Sequence, residues 1–119
     1  MSLPSVVALA GDGCLQMTIQ ELGTVAQERL GIIVLVVNNS MYGTIRMHQE
    51  MHYPGRISGT SLDNPDFVAL ARAYGLEAER VAETGQFAQA MQRALASDGA
   101  SLIEIVTDPR ALSPTRTLD

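Results

Sequence analysis

The run "IIVLVV", Ile32–Val37, is apolar at every position and mostly β-branched, with no polar residue interleaved. A strand with one face in water alternates apolar and polar side chains, so an unbroken run fits a strand covered on both faces, as in a parallel sheet. With Gly31 it is the longest apolar stretch in the chain and far short of the roughly 20 residues that cross a bilayer. It therefore predicts a buried strand and no membrane partner. "VVALA" within Ser5–Ala10 and the stretch Leu102–Val106 read as a first and a last apolar strand.

Between the strands the period changes. Thr18–Arg29 is predicted helical, with Ile19, Leu22, Val25 and Ala26 on one face, and Gly31 is placed to close it as a left-handed cap. Asn38–Ser61 holds "NNSMYG", "HYPGR" and "SGTS" and reads as irregular, the kind of long segment that more often carries function than not. In "DNPDFVALARAYG" Asn64 is expected to cap a helix, with Pro65 at its first position, Phe67, Leu70 and Ala71 inward, and Gly75 at the exit. Glu77–Ala82 is a polar-alternating strand, and Thr84 is expected to cap a helix over Gly85–Ala96. Strand and helix in turn imply an α/β fold, a mostly parallel sheet flanked by helices with right-handed crossovers.

The chain has 119 residues, enough for one core and one domain over 1–119. "MSLP" leads almost at once into the first strand, and a truncated domain of a longer protein is expected. A formal charge of −5 speaks against a phosphate-backbone footprint and hence against nucleic acid. The 8 basic residues are all Arg. No lysine is available as Schiff base, P-loop residue or general base. The single cysteine, Cys14, has no intrachain partner, and the start of the chain lacks a signal-peptide pattern, so a cytoplasmic location is expected.

Two clusters stand out: Gly11-Asp12-Gly13 after the first strand and Asn38-Asn39 after the second. Parallel sheets bind ligands at the carboxyl ends of their strands. Gly11 and Gly13 permit positive φ and a close approach of backbone to ligand. The amides of the following helix favour an anion, phosphate being the usual guest. Asp12 beside a bare phosphate would repel it, and Mg²⁺, which bridges one or two protein oxygens to phosphate oxygens, resolves the conflict. Asn39 supplies an uncharged oxygen, and a backbone carbonyl shortly after it another.

"GDGCLQMTIQEL", followed after an intervening helix and strand by "NNSMYGTI", resembles the cofactor motif of thiamine-diphosphate enzymes. With "NPDFVALARAYG" and "SLIEIVTDP" the resemblance runs from Val6 to Pro109. It points to the C-terminal, diphosphate-binding domain of the acetolactate synthase, pyruvate oxidase and 2-oxoacid decarboxylase group. The resemblance implies that Asp12, the Asn39 side chain and the Met41 carbonyl ligate Mg²⁺. It implies that Gly11, Gly13 and Cys14 offer backbone contacts to the diphosphate, and that Tyr42 and Gly43 lie beside it or the thiazolium. Cys14 departs from the small Ser or Ala usual in the family, which weakens any side-chain hydrogen bond there. The implied chemistry is decarboxylation or acetolactate-synthase-like carboligation of 2-oxo acids in a homo-oligomer. The activating acid comes from the pyrimidine-binding domain of a neighbouring subunit, so these residues hold no catalytic group and are expected to be inactive alone. FAD, where the whole enzyme carries it, is not expected on this domain.

Two other classes share part of the pattern. A phospho-acceptor receiver module fits the length and the acidic strand end but uses a lysine that is absent here. A Rossmann-type unit needs a third glycine where Gln16 stands. His48 and His52 are four apart, yet Glu50 is misplaced for an HExxH zinc site. A solvated or substrate-facing loop is expected, with His48 a candidate substrate contact. Glu21 is assigned no chemistry. Cys14 is expected to be a packed thiol, and Met41, Met47 and Met51 to fill gaps or an interface.

Overall fold

The structure is a computed structural model that describes residues 6–113 and 116–117. Strands β1 (Val6–Gly11), β2 (Ile32–Asn38), β3 (Glu77–Val81) and β4 (Ser101–Val106) form one parallel sheet in the order β1-β2-β4-β3. The unbroken apolar run therefore lies at the centre, with Val34 in register between Ala8 and Leu102. Ser5, expected to open β1, lies outside the described residues.

Alternation along the strands splits the core in two. On one face Phe67, fully buried, is surrounded by Leu15, Leu22, Val25 and Ala71, which pack on Val34, Val36 and Leu102. These come from α1 (Asp12–Thr18), α2 (Leu22–Gln27) and α4 (Phe67–Ala73). On the other face Ala90 and Ala94 of α5 (Phe87–Ala96) bring that helix onto Ile33, Val81 and Ile103. The face is covered only in part: Val7 and Leu9, in register with Ile33 and Leu35, are 49% and 71% exposed. No helix among the described residues is long and apolar enough to cross a membrane.

Several local expectations change. The first helix begins at Asp12 rather than Thr18 and is broken by a 3₁₀ turn at Ile19–Glu21. Leu15, buried four residues before Ile19, already belongs to the same stripe, whereas Ala26 is exposed. Arg29, not Gly31, takes the left-handed cap, at φ 50°. Its amide donates to the Ala26 carbonyl and that of Leu30 to the Val25 carbonyl, the paired bonds of a Schellman ending. Gly75 does close α4 this way, at φ 90°.

Asp66, not Asn64, caps α4 by accepting the Ala69 amide at 3.0 Å. Phe67 and Ala71 face inward as expected, while Leu70 is half-buried. Glu83 rather than Thr84 caps the 3₁₀ turn Thr84–Gln86, which precedes α5. The irregular stretch contains a helix, α3 (Gly43–His52), and the chain ends in an unforeseen antiparallel ribbon of β5 (Ala111–Ser113) and β6 (Arg116–Thr117).

Candidate functional site

The end of β1 lies beside the end of β2, Gly11 in register with Val37, so the two clusters converge on one edge. Gly11 is extended, at φ −73° and ψ 164°, and caps α1 without a side-chain hydrogen bond, leaving the first amides of that helix without intrahelical acceptors. Neither Gly11 nor Gly13 has positive φ, contrary to expectation. What these positions require is space. A Cβ on Gly13 would stand 2.5 Å from Tyr42 Cε1 and 3.2 Å from Leu62 Cδ1, and one on Gly43 2.9 Å from Asn39 Nδ2. A Cβ on Gly11 would meet nothing nearer than Cys14 Sγ at 4.0 Å, because that side opens on the cleft.

The facing loop is set by side chain-to-backbone bonds. Asn38 Oδ1 accepts the Ser40 amide at 3.0 Å and Asn39 Oδ1 the Met41 amide at 3.3 Å, while Ser40 adopts φ 59°. The segment before α4 braces it: the Tyr42 amide donates to the Thr60 carbonyl at 2.8 Å and the Leu62 amide to the Ser40 carbonyl at 2.9 Å. Among the described residues no backbone amide outside regular elements donates to the Met41 carbonyl.

All the residues expected at the cofactor border one cleft of about 340 Å³, with Gly11–Cys14 on one side and Asn39 and Met41–Gly43 on the other. Val37, Thr44, Ile45 and Ala111 complete it, the last brought by the ribbon that the sequence did not announce. Asp12 is 3% exposed. The ion pairs among the described residues join Arg80 to Asp66 and Glu104, Arg93 to Glu79 and Arg110 to Asp108; none reaches Asp12. Its partner is neutral: Asn64 Nδ2 donates to Asp12 Oδ2 at 2.7 Å. A buried carboxylate without a cation is costly. The donors here are oxygens alone, one carboxylate, one amide and one carbonyl, which suit a hard cation whose remaining ligands are phosphate oxygens. The residues thus fit Mg²⁺ with a diphosphate.

Beneath the cleft runs a polar chain that the sequence did not reveal. Asn64 also donates to Asn38 Oδ1, and Asn38 Nδ2 donates to Glu104 Oε2 at 3.3 Å. Glu104, buried, receives Arg80 Nε at 3.3 Å, while its Oε1 has no partner among the described residues. This contact chiefly raises the Arg80 pKa, and Asp66 is held below the ordinary carboxylate range first by the Ala69 amide and further by Arg80. A polar residue on an apolar strand, "SLIEIV", is the one sequence signal for this network.

His48 and His52 lie on α3, not in a loop, with rings stacked 6.2 Å apart. No group of three or more His, Cys, Asp and Glu able to hold a metal occurs among the described residues, so the pair has no third ligand. Cys14 is exposed rather than packed, and Met41 alone of the three methionines is buried, with Met47 half-buried and Met51 exposed. A roomier cleft of about 550 Å³ lies at the opposite end of the sheet, around Glu77, Ser97 and Ser101. It borders the amino ends of β3 and β4, away from the edge where parallel sheets bind ligands.

Fold and site together define an α/β domain with a cleft at the carboxyl edge of its parallel sheet. Residues 2–105 match the family described as thiamine pyrophosphate enzyme, C-terminal TPP binding domain, and the chain belongs to that family. The chain is similar to the acetolactate synthase isozyme 2 large subunit of Escherichia coli, 36% identical over 105 residues, 87% of this chain and 19% of that protein. It is also similar to the acetolactate synthase large subunit of Corynebacterium glutamicum, 43% identical over 94 residues, 75% of this chain and 15% of the other. Among solved structures, the thiamine diphosphate-dependent 4-hydroxybenzoylformate decarboxylase of Rhodococcus jostii superposes with a TM-score of 0.79 at 33% identity, covering 86% of this chain and 19% of that one. The chain thus spans under a fifth of the length of these relatives. The receiver-like and dinucleotide-binding alternatives fall with this assignment.

Proposed function

We propose that this chain binds the diphosphate of thiamine diphosphate through Mg²⁺, as the diphosphate-binding domain of an enzyme that decarboxylates or carboligates 2-oxo acids. One observation supports the proposal: Asp12, buried at the cleft with no cationic partner among the described residues, shares that cleft with Asn39 and Met41 and with the open side of Gly11. Asp12 and Asn39 hold the ion with the Met41 carbonyl, and the amides of Gly13 and Cys14 at the start of α1 meet the diphosphate. Tyr42 and Gly43 border the cofactor beyond it. When bound, thiamine diphosphate supplies a carbon nucleophile for the 2-oxo acid. The protein's part is to fix one end of the cofactor so that its reactive ring is delivered in place.

The names of the relatives favour acetolactate-synthase-like carboligation, and those of the structural neighbours favour decarboxylation. No side chain here is assigned a proton transfer. The activating acid is proposed to come from a pyrimidine-binding domain of a neighbouring subunit in a homo-oligomer, and residues 1–119 are expected to bind without turnover. The test is calorimetric titration with thiamine diphosphate and with plain diphosphate, with and without Mg²⁺, on the chain and on Asp12→Ala and Asn39→Ala. Magnesium-dependent heat lost in both variants supports the proposal; binding indifferent to Mg²⁺ or to both substitutions contradicts it.

A further inference from the structure

Every hydrogen-bonding group of the Asn64 side chain is engaged. Nδ2 donates to Asp12 Oδ2 at 2.7 Å and to Asn38 Oδ1 at 2.9 Å, and Oδ1 accepts Gln16 Nε2 at 2.5 Å. The orientation of this amide is dictated by charge, since turning it over would set a carbonyl against the Asp12 carboxylate. Asn38 is fixed in the same way, its Nδ2 on Glu104 Oε2 and its Oδ1 on the Ser40 amide. Glu104 is anchored in β4 and tied to Arg80. One oxygen of Asp12 is thereby held by a chain of side chains that ends in the sheet, and the other, Oδ1, is the oxygen left for a ligand.

Building on Asp12 as the Mg²⁺ ligand, we propose that Asn64 is a positioning residue that makes Asp12 a one-oxygen ligand and so sets the preference of the site for Mg²⁺ over Ca²⁺. Mg²⁺ demands near-octahedral geometry at about 2.0–2.1 Å, whereas Ca²⁺ accepts six to eight oxygens at about 2.3–2.6 Å, including both oxygens of one carboxylate. Reserving Oδ2 for Asn64 denies the larger ion its two-oxygen grip. Without Asn64 the Asp12 carboxylate is free to rotate and offer both. The capping role expected of Asn64 belongs to Asp66, so the amide is free for this task.

The experiment follows Mn²⁺ by electron paramagnetic resonance in the presence of thiamine diphosphate, with Mg²⁺ and Ca²⁺ as competitors, for the chain and for Asn64→Ala, Gln16→Leu and Asp12→Ala. Asn64→Ala is expected to weaken Mn²⁺ and Mg²⁺ about 10- to 100-fold, the usual cost of losing an outer partner of a metal ligand. Ca²⁺ should weaken less, so that the ratio of Mg²⁺ to Ca²⁺ affinity shrinks. A folded Asn64→Ala with that ratio unchanged overturns the proposal. Should that variant not fold, Gln16→Leu, on the exposed side of α1, decides: a smaller shift of the ratio in the same direction supports the positioning role, and no shift overturns it. Asp12→Ala separates the two claims. Mn²⁺ affinity intact there removes the ion from Asp12 and both readings with it; affinity lost there but intact in Asn64→Ala removes the positioning role alone.

Discussion

Gly13→Ala pits helix propensity against contact with Tyr42. In α1 an alanine should gain up to about 1 kcal/mol over glycine. Its Cβ, however, would stand 2.5 Å from Tyr42 Cε1 and 3.0 Å from Cδ1, where ordinary contact begins at 3.4 Å, with Leu62 Cδ1 also close at 3.2 Å. The ring, which borders the cleft, must retreat by nearly 1 Å. Overpacking of this kind costs about 1–3 kcal/mol. Tyr42 is only half-buried and can yield, so a net loss of about 1 kcal/mol is expected, a fall of roughly 4 °C in melting temperature for a domain of this size. Gly11→Ala is the counterpart: its Cβ meets no side chain nearer than 4.0 Å, so stability should stay within about 0.5 kcal/mol while the cleft loses room. Thermal melts with calorimetric titration of Mg²⁺ and thiamine diphosphate should show stability and binding lowered in the first variant and binding alone lowered in the second. A Gly13→Ala protein stabilised by the full helical gain, or a Gly11→Ala protein binding as before, refutes the packing argument.

Phe67→Ala empties the centre of the larger core, and a loss of about 3–5 kcal/mol in urea unfolding is expected; a loss below about 1 kcal/mol would mean that the core collapses around the void. Arg29→Gly should raise stability by a few tenths of a kcal/mol to about 1 kcal/mol, because glycine reaches the φ of 50° without the penalty that a Cβ brings; a lower midpoint would show the arginine side chain to matter more than its backbone. The Glu79 carboxyl is held below its ordinary 4.5 first by hydrogen bonds from Arg93 and then by its charge. Its contribution to stability is therefore complete above pH 4.5 and lost as pH falls through the lowered folded value. Glu79→Gln should flatten that part of the acid limb in urea midpoints taken against pH, and a superimposable limb would remove the pair from the account.

The parallel sheet was legible because "IIVLVV" and its flanking apolar runs have only one comfortable environment, and the meeting of the two clusters at one cleft because GDG and NN each end a strand. The cap of α2 was not, since the helix stops before the glycine and Arg29 tolerates the left-handed position. Asn64 shows a more general blindness. "DNPDF" holds Asn64 and Asp66 two positions apart, both of residue types that cap helices, and only the fold decides that Asp66 serves the helix while Asn64 turns 52 positions back along the chain to Asp12. The ribbon that brings Ala111 to the cleft pairs strands two or three residues long, too short for any periodicity to register. α3 was hidden because its stretch is rich in polar and turn-forming residues and leaves no side chain fully buried, so no apolar stripe marks it.

The most direct measurement is an anomalous difference map from crystals of the chain grown with Mn²⁺ and thiamine diphosphate. The account expects one peak within coordination distance of Asp12 Oδ1, the Asn39 side-chain oxygen and the Met41 carbonyl, with diphosphate density against the start of α1. Diphosphate bound there with no metal between it and Asp12, or a metal held elsewhere, would contradict it.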